Sequence, residues 1–247
     1  MIGLIVSGAC GRMGRLIVRE AAGHGFSVLA GVDPSAEQYG SFPVYGHIGQ
    51  LHEKPDILID FSAPATLAEL LEYAVNKKVP CVLGTTGYTA QDLQRIQAAS
   101  ANIPIFQSPN MSQGIFVLKQ LAALAARMLP GYDIEIVEKH HNQKADSPSG
   151  TALALLDAVK KPDTLPVFGR EGQQTKRNRN EIGLHAVRGG TVAGEHEVGY
   201  YGSNEVLTLS HHAQSRGVFA DGALAAAAWL VNQQPGLYAM ADFMRTE

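Results

Sequence analysis

The strongest constraint on the fold is an alternation of short apolar runs with helical patterns over residues 1–111. The apolar runs are near-continuous, as in strands that are buried on both faces of a sheet. Strands are predicted over residues 2–6, 27–32, 56–61, 79–83 and 103–106, and helices over 12–22, 64–76 and 90–99. Strands that alternate with helices favour a parallel sheet. We therefore expect an α/β fold with a Rossmann-like, doubly wound sheet.

The pattern changes near Met111, where a second kind of domain is expected. The predicted elements are a helix over 113–127, strands over 132–139, 193–200 and 204–211, a helix from Ser149, a loop over 170–190 and an apolar last helix over 218–231. We predict a dinucleotide-binding domain (residues 1–111, completed by 216–247). Residues 112–215 are predicted to form a smaller α+β substrate-binding domain with a mixed, largely antiparallel sheet.

The composition argues against several classes of protein. A formal net charge of -3 does not supply the basic footprint that nucleic-acid binding needs. The sequence contains no run of about 18 or more apolar residues, so no membrane span is expected. Cys10 lies in a glycine-rich turn and Cys81 in an apolar run, which does not suit a disulfide framework. These observations fit a protein of the reducing cytoplasm.

A glycine-rich turn lies between the first predicted strand and the first predicted helix. Glycines there let the backbone approach a pyrophosphate, and the helix N-terminus favours its negative charge. The spacing is G-x-x-G-x-x-G, so an ordinary strand-to-helix turn is the alternative. The position at the start of a βαβ unit favours dinucleotide binding. The candidate contacts are Gly8, Ala9, Cys10, Gly11, Arg12 and Met13.

Asp33 ends the second predicted strand, where a carboxylate can accept hydrogen bonds from the adenosine ribose. The same carboxylate would repel a 2′-phosphate, which favours NADH slightly. Arg12 could offset that repulsion, so NADH and NADPH both remain candidates. The alternative is that Asp33 only forms a turn before Pro34.

Two further loops follow the fourth and fifth predicted strands. Ligands bind beyond the carboxyl ends of the strands in open parallel sheets. Small and hydroxyl residues there suit contact with a nicotinamide and its ribose, although plain loops are the alternative. The candidate contacts are Gly84, Thr85, Thr86, Ser108, Pro109, Asn110 and Met111.

The run over residues 138–152 carries the most chemistry. A strand leads two histidines and a lysine, Lys144, into a loop that opens a helix with Ser-Pro-Ser-Gly-Thr. Ser147 is predicted as the helix cap and Pro148 as a first-turn residue. The N–H groups of Gly150 and Thr151 would then bind a carboxylate. The cationic side chains beside them indicate a small acidic substrate, and they could supply protons.

Each of these residues also has a plainer interpretation. His140 and His141 could be structural or could bind a metal, and Lys144 could be an ordinary surface lysine. Adjacent histidines on a strand point to opposite faces, so both binding one metal is disfavoured. The sequence has no further cluster with metal-ligand spacing, and we predict no metal site.

The whole run, EKHHNQKADSPSGTA, resembles the E-x-H-H-x-x-K-x-D-x-P-S-G-T-A signature of the dihydrodipicolinate reductase family. The resemblance extends over essentially the whole chain. Five further motifs occur in the order typical of the family: GACGRMG, DFS, GTTG, RGGTVAGEHEV and SRGVFADGALAAAAWL. Ser147 departs from the alanine of many members, and the segment over residues 160–182 is hard to align.

The resemblance implies roles for individual residues. His140 and Lys144 would donate protons, and His141 and Ser149, with the backbone of Gly150 and Thr151, would bind the substrate carboxylates. Gly8–Met13, Asp33, 84–86 and 108–111 would line NADH or NADPH. The implied reaction is reduction of 4-hydroxy-tetrahydrodipicolinate to tetrahydrodipicolinate in lysine and diaminopimelate biosynthesis. The family is usually a homotetramer, built through the sheet of residues 112–215.

Two other functions remain alternatives at this point. One is another NAD(P)-dependent dehydrogenase with the same two-domain plan, and the other is a non-catalytic dinucleotide sensor. The HHxxK and PSGT motifs count against the first, and the presence of His140 and Lys144 counts against the second. Residues 188–196 could belong either to the substrate pocket or to a subunit interface.

Overall fold

The structure is a computed structural model that describes residues 1–172 and 176–245. The chain forms two compact units, one of Met1–Ser112 with the chain from Arg216 onward and one of Gln113–Ser215. In the described ranges, every helix is too short or too polar to span a membrane.

The described residues contain twelve strands and seven α-helices. The strands are β1 (Ile2–Ser7), β2 (Phe26–Val32), β3 (Val44–Tyr45), β4 (Ile57–Asp60), β5 (Cys81–Leu83), β6 (Pro104–Gln107), β7 (Asp133–His140), β8 (Leu165–Phe168), β9 (Glu181–Arg188), β10 (Gly194–Tyr201), β11 (Val206–Ala213) and β12 (Gly236–Tyr238). The helices are α1 (Arg12–Ala21), α2 (Leu67–Lys77), α3 (Ala90–Ser100), α4 (Gln113–Met128), α5 (Gly150–Val159), α6 (Gly217–Leu230) and α7 (Met240–Phe243).

The first unit contains a seven-stranded sheet in the order β12-β6-β5-β4-β1-β2-β3, and all its pairings are parallel. Its central strands are buried, and Ile5, Leu58 and Leu83 are 0% exposed. Helices α2 and α3 add Leu70 and Ile96 to this core. Helix α6 packs against α1, β5 and β6. The predicted Rossmann-like sheet is therefore confirmed, and burial explains its near-continuous apolar runs.

The second unit contains a five-stranded mixed sheet in the order β11-β10-β7-β9-β8. Strand β10 pairs antiparallel with β7 and β11, whereas β9 pairs parallel with β7 and β8. A mixed sheet was expected, but the antiparallel pairings are only half of the total. Along β7, Ile134, Ile136, Glu138 and His140 are buried in alternation with more exposed residues. These four side chains share one face because the side-chain period of a strand is two.

The prediction of a loop over residues 170–190 is wrong for Glu181–Arg188, which form the eight-residue strand β9. The polar, glycine-rich composition of residues 170–190 as a whole did not indicate a strand. Its terminal charges are paired, since Glu181 binds Arg170 and Arg188 binds Glu138. Pairing lets charged side chains lie within a sheet. Residues 173–175 of the predicted loop lie outside the described residues.

Gly222 in α6 offers a test of the packing within the first unit. A Cβ atom there would lie 1.8 Å from the carbonyl oxygen of Met111, so Gly222→Ala must displace backbone. Alanine would normally gain about 1 kcal/mol over glycine in a helix. Overpacking typically costs about 1–3 kcal/mol, so we expect a net loss of stability in urea unfolding. Gly23→Ala is the control, because no described atom lies within 4 Å of its Cβ position. A variant at Gly222 that is more stable than the parent would contradict this packing.

Candidate active site

The residues predicted to bind a cofactor lie along the carboxyl edge of the first sheet. Strands β6, β5, β4, β1 and β2 are consecutive neighbours in that sheet, and they run parallel. Their carboxyl ends therefore meet at one edge. The predicted residues follow four of these strands: residues 8–13 follow β1, Asp33 follows β2, residues 84–86 follow β5 and residues 108–111 follow β6.

The glycine-rich turn after β1 is held by close backbone contacts. Gly8 has a φ angle of 76°, and a Cβ atom there would lie 2.5 Å from the carbonyl oxygen of Phe61. A Cβ atom on Gly14 would lie 2.1 Å from the carbonyl oxygen of Gly8. Both positions thus require glycine. Helix α1 begins after Gly11, and no side chain of the described residues caps it. Its first N–H groups can therefore bind a phosphate, so the turn fits a dinucleotide.

Asp33 binds the glycine-rich turn as well as its own loop. One carboxylate oxygen accepts the N–H of Cys10 at 3.1 Å. The other accepts the N–H of Ser35 at 3.1 Å and its hydroxyl at 2.9 Å. Asp33 therefore forms a turn, which was the alternative interpretation. It also lies directly beside the glycine-rich turn, because it accepts the Cys10 N–H.

The loop after β2 folds onto the same turn through side chains for which no role was predicted. The Tyr39 hydroxyl donates to the carbonyl oxygen of Ala9 at 2.6 Å. The Arg15 guanidinium lies 4.4 Å from the centre of the Tyr39 ring and forms an ion pair with Glu37 at 2.6 Å. Arg15 is thus already engaged, whereas Arg12 is exposed.

A buried carboxylate orders the loop after β5. Asp60 is 1% exposed and accepts hydrogen bonds from Ser62 at 2.5 Å, Thr85 at 2.6 Å and Tyr88 at 3.4 Å. Burial, together with the Asp60 charge, raises the pKa of Tyr88. Phe61 packs below Gly84, where a Cβ atom would lie 2.3 Å from the ring. The sequence marked the DFS strand end but did not identify Asp60 as the centre of this network.

The loop after β6 is closed by local hydrogen bonds. The Ser108 hydroxyl donates to the carbonyl oxygen of Asn110 at 2.7 Å. The side-chain oxygen of Asn110 accepts the N–H of Ser112 at 2.9 Å. Pro109 and Thr86 are exposed, whereas Met111 is 1% exposed. The Met111 side chain therefore belongs to the core.

In the second unit, strand β7 positions the first predicted proton donor. The His140 ring is 8% exposed, and its Nδ1 lies 2.5 Å from a carboxylate oxygen of Glu138. Beyond the strand, the Lys144 ammonium lies 2.7 Å from the carboxylate of Asp146. The hydrogen bond from Lys144 lowers the pKa of Asp146, and the backbone of Gly150 contributes in the same direction.

The predicted cap of the next helix is wrong, because Ser149 caps α5 and Ser147 does not. The Ser149 hydroxyl accepts the N–H of Ala152 at 3.2 Å, and the helix begins at Gly150. Pro148 therefore precedes the cap, and its peptide bond with Ser147 is cis. The helix starts two residues later than Ser147 capping would require. Gly150 and Thr151 still form the first turn, as expected.

The sequence did not decide whether Arg188 and His196 belong to a substrate pocket or to a subunit interface. In the structure, Arg188 binds Glu138, and His196 contacts His140 and Ser149. The Arg188 guanidinium donates to the two carboxylate oxygens of Glu138 at 2.9 and 2.7 Å. His196 is 5% exposed, and its Nε2 lies 3.2 Å from the Ser149 hydroxyl. Its ring contacts the His140 ring edge to face, with 5.2 Å between centroids. Burial and the neighbouring His140 lower the pKa of His196 to about 4, so His196 is neutral at pH 7.

The residues over 138–196 that the structure brings together were only partly expected. His140 and Ser149 were expected at the site, Arg188 and His196 were left open between a pocket and an interface, and Glu138 received no role. The spacing of Glu138 and His140 carried a usable signal, because residues two apart on a strand lie on the same face. No local pattern indicated that β9 and β10 pair with β7 and so place Arg188 and His196 beside Glu138 and His140.

The chain matches the family models for the N-terminus of dihydrodipicolinate reductase over residues 2–111 and for its C-terminus over residues 114–244. It is 48% identical to a 4-hydroxy-tetrahydrodipicolinate reductase of Caldanaerobacter subterraneus subsp. tengcongensis, covering 99% of both chains. It is 44% identical to the same enzyme of Clostridium tetani, covering 97% of this chain and 96% of the relative.

A solved structure with the same fold is the dipicolinate-bound dihydrodipicolinate reductase of Paenisporosarcina sp. TG-14. The TM-score is 0.82 and the sequence identity is 25%. The alignment covers 99% of this chain and 100% of that one.

The low pKa of His196 predicts a specific acid sensitivity. Because the folded pKa, about 4, lies below the ordinary value of 6.5, folding favours the neutral ring. Its contribution to stability is complete above pH 6.5 and is lost as the pH falls towards 4. We expect the stability advantage of the parent over His196→Gln to shrink by up to about 3 kcal/mol across this range. Urea unfolding at several pH values measures it, with the exposed His212→Gln as the control. An advantage that does not change with pH would contradict a neutral, buried His196.

Proposed function

Because the chain belongs to the dihydrodipicolinate reductase family, we propose that His140 and Lys144 supply the proton in its reaction. The chain is an NAD(P)H-dependent reductase of lysine and diaminopimelate biosynthesis. This membership leaves no support for a silent sensor or for another dehydrogenase. The proposal rests on one observation, which is the clustering of His140, Lys144 and the N-terminus of α5 within the second unit.

We propose 4-hydroxy-tetrahydrodipicolinate, a dicarboxylate, as the substrate. The similar structure from Paenisporosarcina binds dipicolinate, which is also a dicarboxylate. The first turn of α5, at Gly150 and Thr151, suits a carboxylate because a helix N-terminus carries partial positive charge, and the Gly150 backbone already binds the Asp146 carboxylate. His141 would add a further hydrogen bond. Ser149 is 2% exposed and supports this site by capping the helix.

The two proposed proton donors are held by carboxylates. His140 uses Nδ1 for Glu138, which leaves Nε2 as the atom that can transfer a proton. Gly194 keeps space beside that atom, since a Cβ there would lie 3.1 Å from Nε2. Lys144 has three N–H donors, of which one is directed at Asp146. The remaining donors can bind substrate.

We propose that the first unit binds the nicotinamide dinucleotide along the carboxyl edge of its sheet. The bound nicotinamide supplies a hydride, and the chain orients it. The N–H groups at the start of α1 would hold the pyrophosphate, and Asp33 the adenosine ribose. The loops of residues 84–86 and 108–111 would hold the nicotinamide half.

We propose a modest preference for NADH. Asp33 and Glu37 both place negative charge near the glycine-rich turn, and Arg15 is engaged by Glu37 and Tyr39. Negative charge there disfavours a 2′-phosphate. Arg12 is exposed and could bind that phosphate, so NADPH should also be used.

We further propose the homotetramer and the cytoplasmic location that the sequence suggested. Several apolar side chains on strands of the second sheet are exposed, and a subunit contact would cover them. They are Val187 (47%), Tyr201 (40%), Val206 (56%) and Leu207 (40%).

The roles of His140 and Lys144 can be tested in a coupled assay. The preceding synthase generates the substrate in place, and loss of reduced-nicotinamide absorbance reports turnover. We expect His140→Gln and Lys144→Ala each to lower kcat by about 100-fold or more, the usual contribution of a general acid. The KM for the cofactor should stay within about twofold, because neither residue is proposed to touch it. His212→Gln and Lys139→Ala are matched controls, since both residues are exposed on the same unit. Full turnover in both site variants would remove their proposed role.

The proposed role of Asp33 predicts unequal effects on the two cofactors. Asp33→Asn keeps an acceptor for the neighbouring N–H groups but removes the charge. Loss of a charged hydrogen bond costs about 1.5–3 kcal/mol, so the KM for NADH should rise about tenfold or more. The KM for NADPH should rise less, since repulsion of the 2′-phosphate is also removed. Glu20→Gln, on α1, is the control. If both KM values rise equally, Asp33 acts only as a turn residue.

A further inference from the structure

We propose that Glu138 is a positioning residue that fixes both the proton donor His140 and the first turn of α5. Glu138 would not touch the substrate. The inference rests on the proposed function of His140, and it adds the residue through which the two halves of the substrate site are held together.

Several donors from different elements meet on one buried carboxylate. Glu138 is 0% exposed. One of its oxygens accepts from His140 Nδ1 at 2.5 Å and from Arg188 at 2.9 Å. The other accepts from Arg188 at 2.7 Å and from the N–H of Ser149 at 3.0 Å. These donors belong to β7, to β9 and to the cap of α5, so one side chain connects three elements.

The same donors also hold the charge of Glu138. Burial alone would raise the pKa of Glu138, but hydrogen bonds from Arg188, His140 and the Ser149 backbone lower it overall. Glu138 is therefore a fixed anion at neutral pH. A buried anion of this kind is tolerated only when its donors stay in place. The geometry of the donors is thus tied to the charge of Glu138.

For His140, the consequence is that the ring has one orientation and one available nitrogen. A carboxylate oxygen can only accept, so the Nδ1 that faces it must carry a proton. Nε2 then lies at the other end of the ring, beside Gly194. The edge contact with His196 restricts rotation further. Glu138 therefore determines which nitrogen exchanges a proton with the substrate.

For α5, the consequence is that the carboxylate-binding turn is placed relative to His140. The N–H of Ser149 donates to Glu138, and the Ser149 hydroxyl caps the helix. Gly150 and Thr151 follow directly. A displacement of about 1 Å between a catalytic group and its substrate can cost about 100-fold in rate. Loss of Glu138 should therefore affect both turnover and substrate binding.

The alternative is that Glu138 only stabilises the pairing of β7 with β9. Glu135 provides a matched comparison on the same strand. It lies on the opposite face of β7 and binds Arg170, Arg177 and His185 at 3.1, 2.8 and 2.7 Å. Glu135 thus has cationic partners like those of Glu138, but they lie on the opposite face of β7 from His140.

The test compares Glu138→Gln, Glu138→Asp and Glu135→Gln in the coupled assay on full-length protein. We expect Glu138→Gln to lower kcat about 100-fold and to raise the substrate KM, with the cofactor KM within about twofold. Glu138→Asp keeps the charge on a shorter side chain, so it should fold and lose kcat partially. Glu135→Gln should lose stability but keep kcat within about twofold.

A spectroscopic readout separates positioning from stability. Nitrogen-15 NMR of the histidine rings, assigned with His140→Gln, should show the neutral His140 ring protonated on Nδ1 in the parent. In Glu138→Asp the Nε2-protonated form should gain population, whereas in Glu135→Gln the parent pattern should persist. If Glu138→Gln does not fold, the kcat and the ring protonation of Glu138→Asp decide the test.

Two results would overturn the inference. One is parental kcat in folded Glu138→Gln or Glu138→Asp, and the other is an equal loss of kcat in Glu135→Gln. Failure of the proposed function is a different outcome, because His140→Gln would then itself be active. An inactive His140→Gln with fully active Glu138 variants removes only the role of Glu138.

Discussion

Removing a carboxylate from water costs several kcal/mol unless hydrogen bonds replace its hydration shell. Each unit of this chain contains such a carboxylate at or near the carboxyl end of a strand, Asp60 in the first and Glu138 in the second. Among the donors to each carboxylate are residues that we propose to act in the site, namely Thr85 on Asp60 and both His140 and Ser149 on Glu138. Burial of one charged group thus determines where several loop residues lie.

The two carboxylates differ in the donors that satisfy them. Asp60 accepts from the hydroxyl groups of Ser62, Thr85 and Tyr88. Hydroxyl groups of this kind stay neutral at pH 7, so this network can order a loop without exchanging protons. Glu138 instead faces a guanidinium and an imidazole, and an imidazole can bind the carboxylate through one nitrogen and exchange a proton through the other. The second network is therefore the one suited to proton transfer.

The sequence predicted the parts of this arrangement that depend on local patterns. Alternating apolar runs gave the parallel sheet, and a parallel sheet by itself places the glycine-rich turn and the later loops on one edge. Strand β9 was missed because its polar residues are satisfied by Arg170 and Glu138, which are distant in sequence. The cap of α5 was misplaced by two residues because two serines in the same segment can both cap a helix. Burial of Glu138 and Asp60 could not be predicted, since an isolated carboxylate in a strand normally indicates an exposed position.

The neighbouring histidines show how environment assigns chemical roles to identical side chains. His196 is enclosed, and burial keeps its pKa at about 4, so it carries no proton to give at neutral pH. Its Nε2 contacts a hydroxyl group, whereas His140 contacts the Glu138 carboxylate through Nδ1. A histidine that binds an anion through Nδ1 keeps a proton on that nitrogen and presents Nε2 for proton transfer. This contrast supports His140 over His196 as the proton donor without any appeal to the family signature.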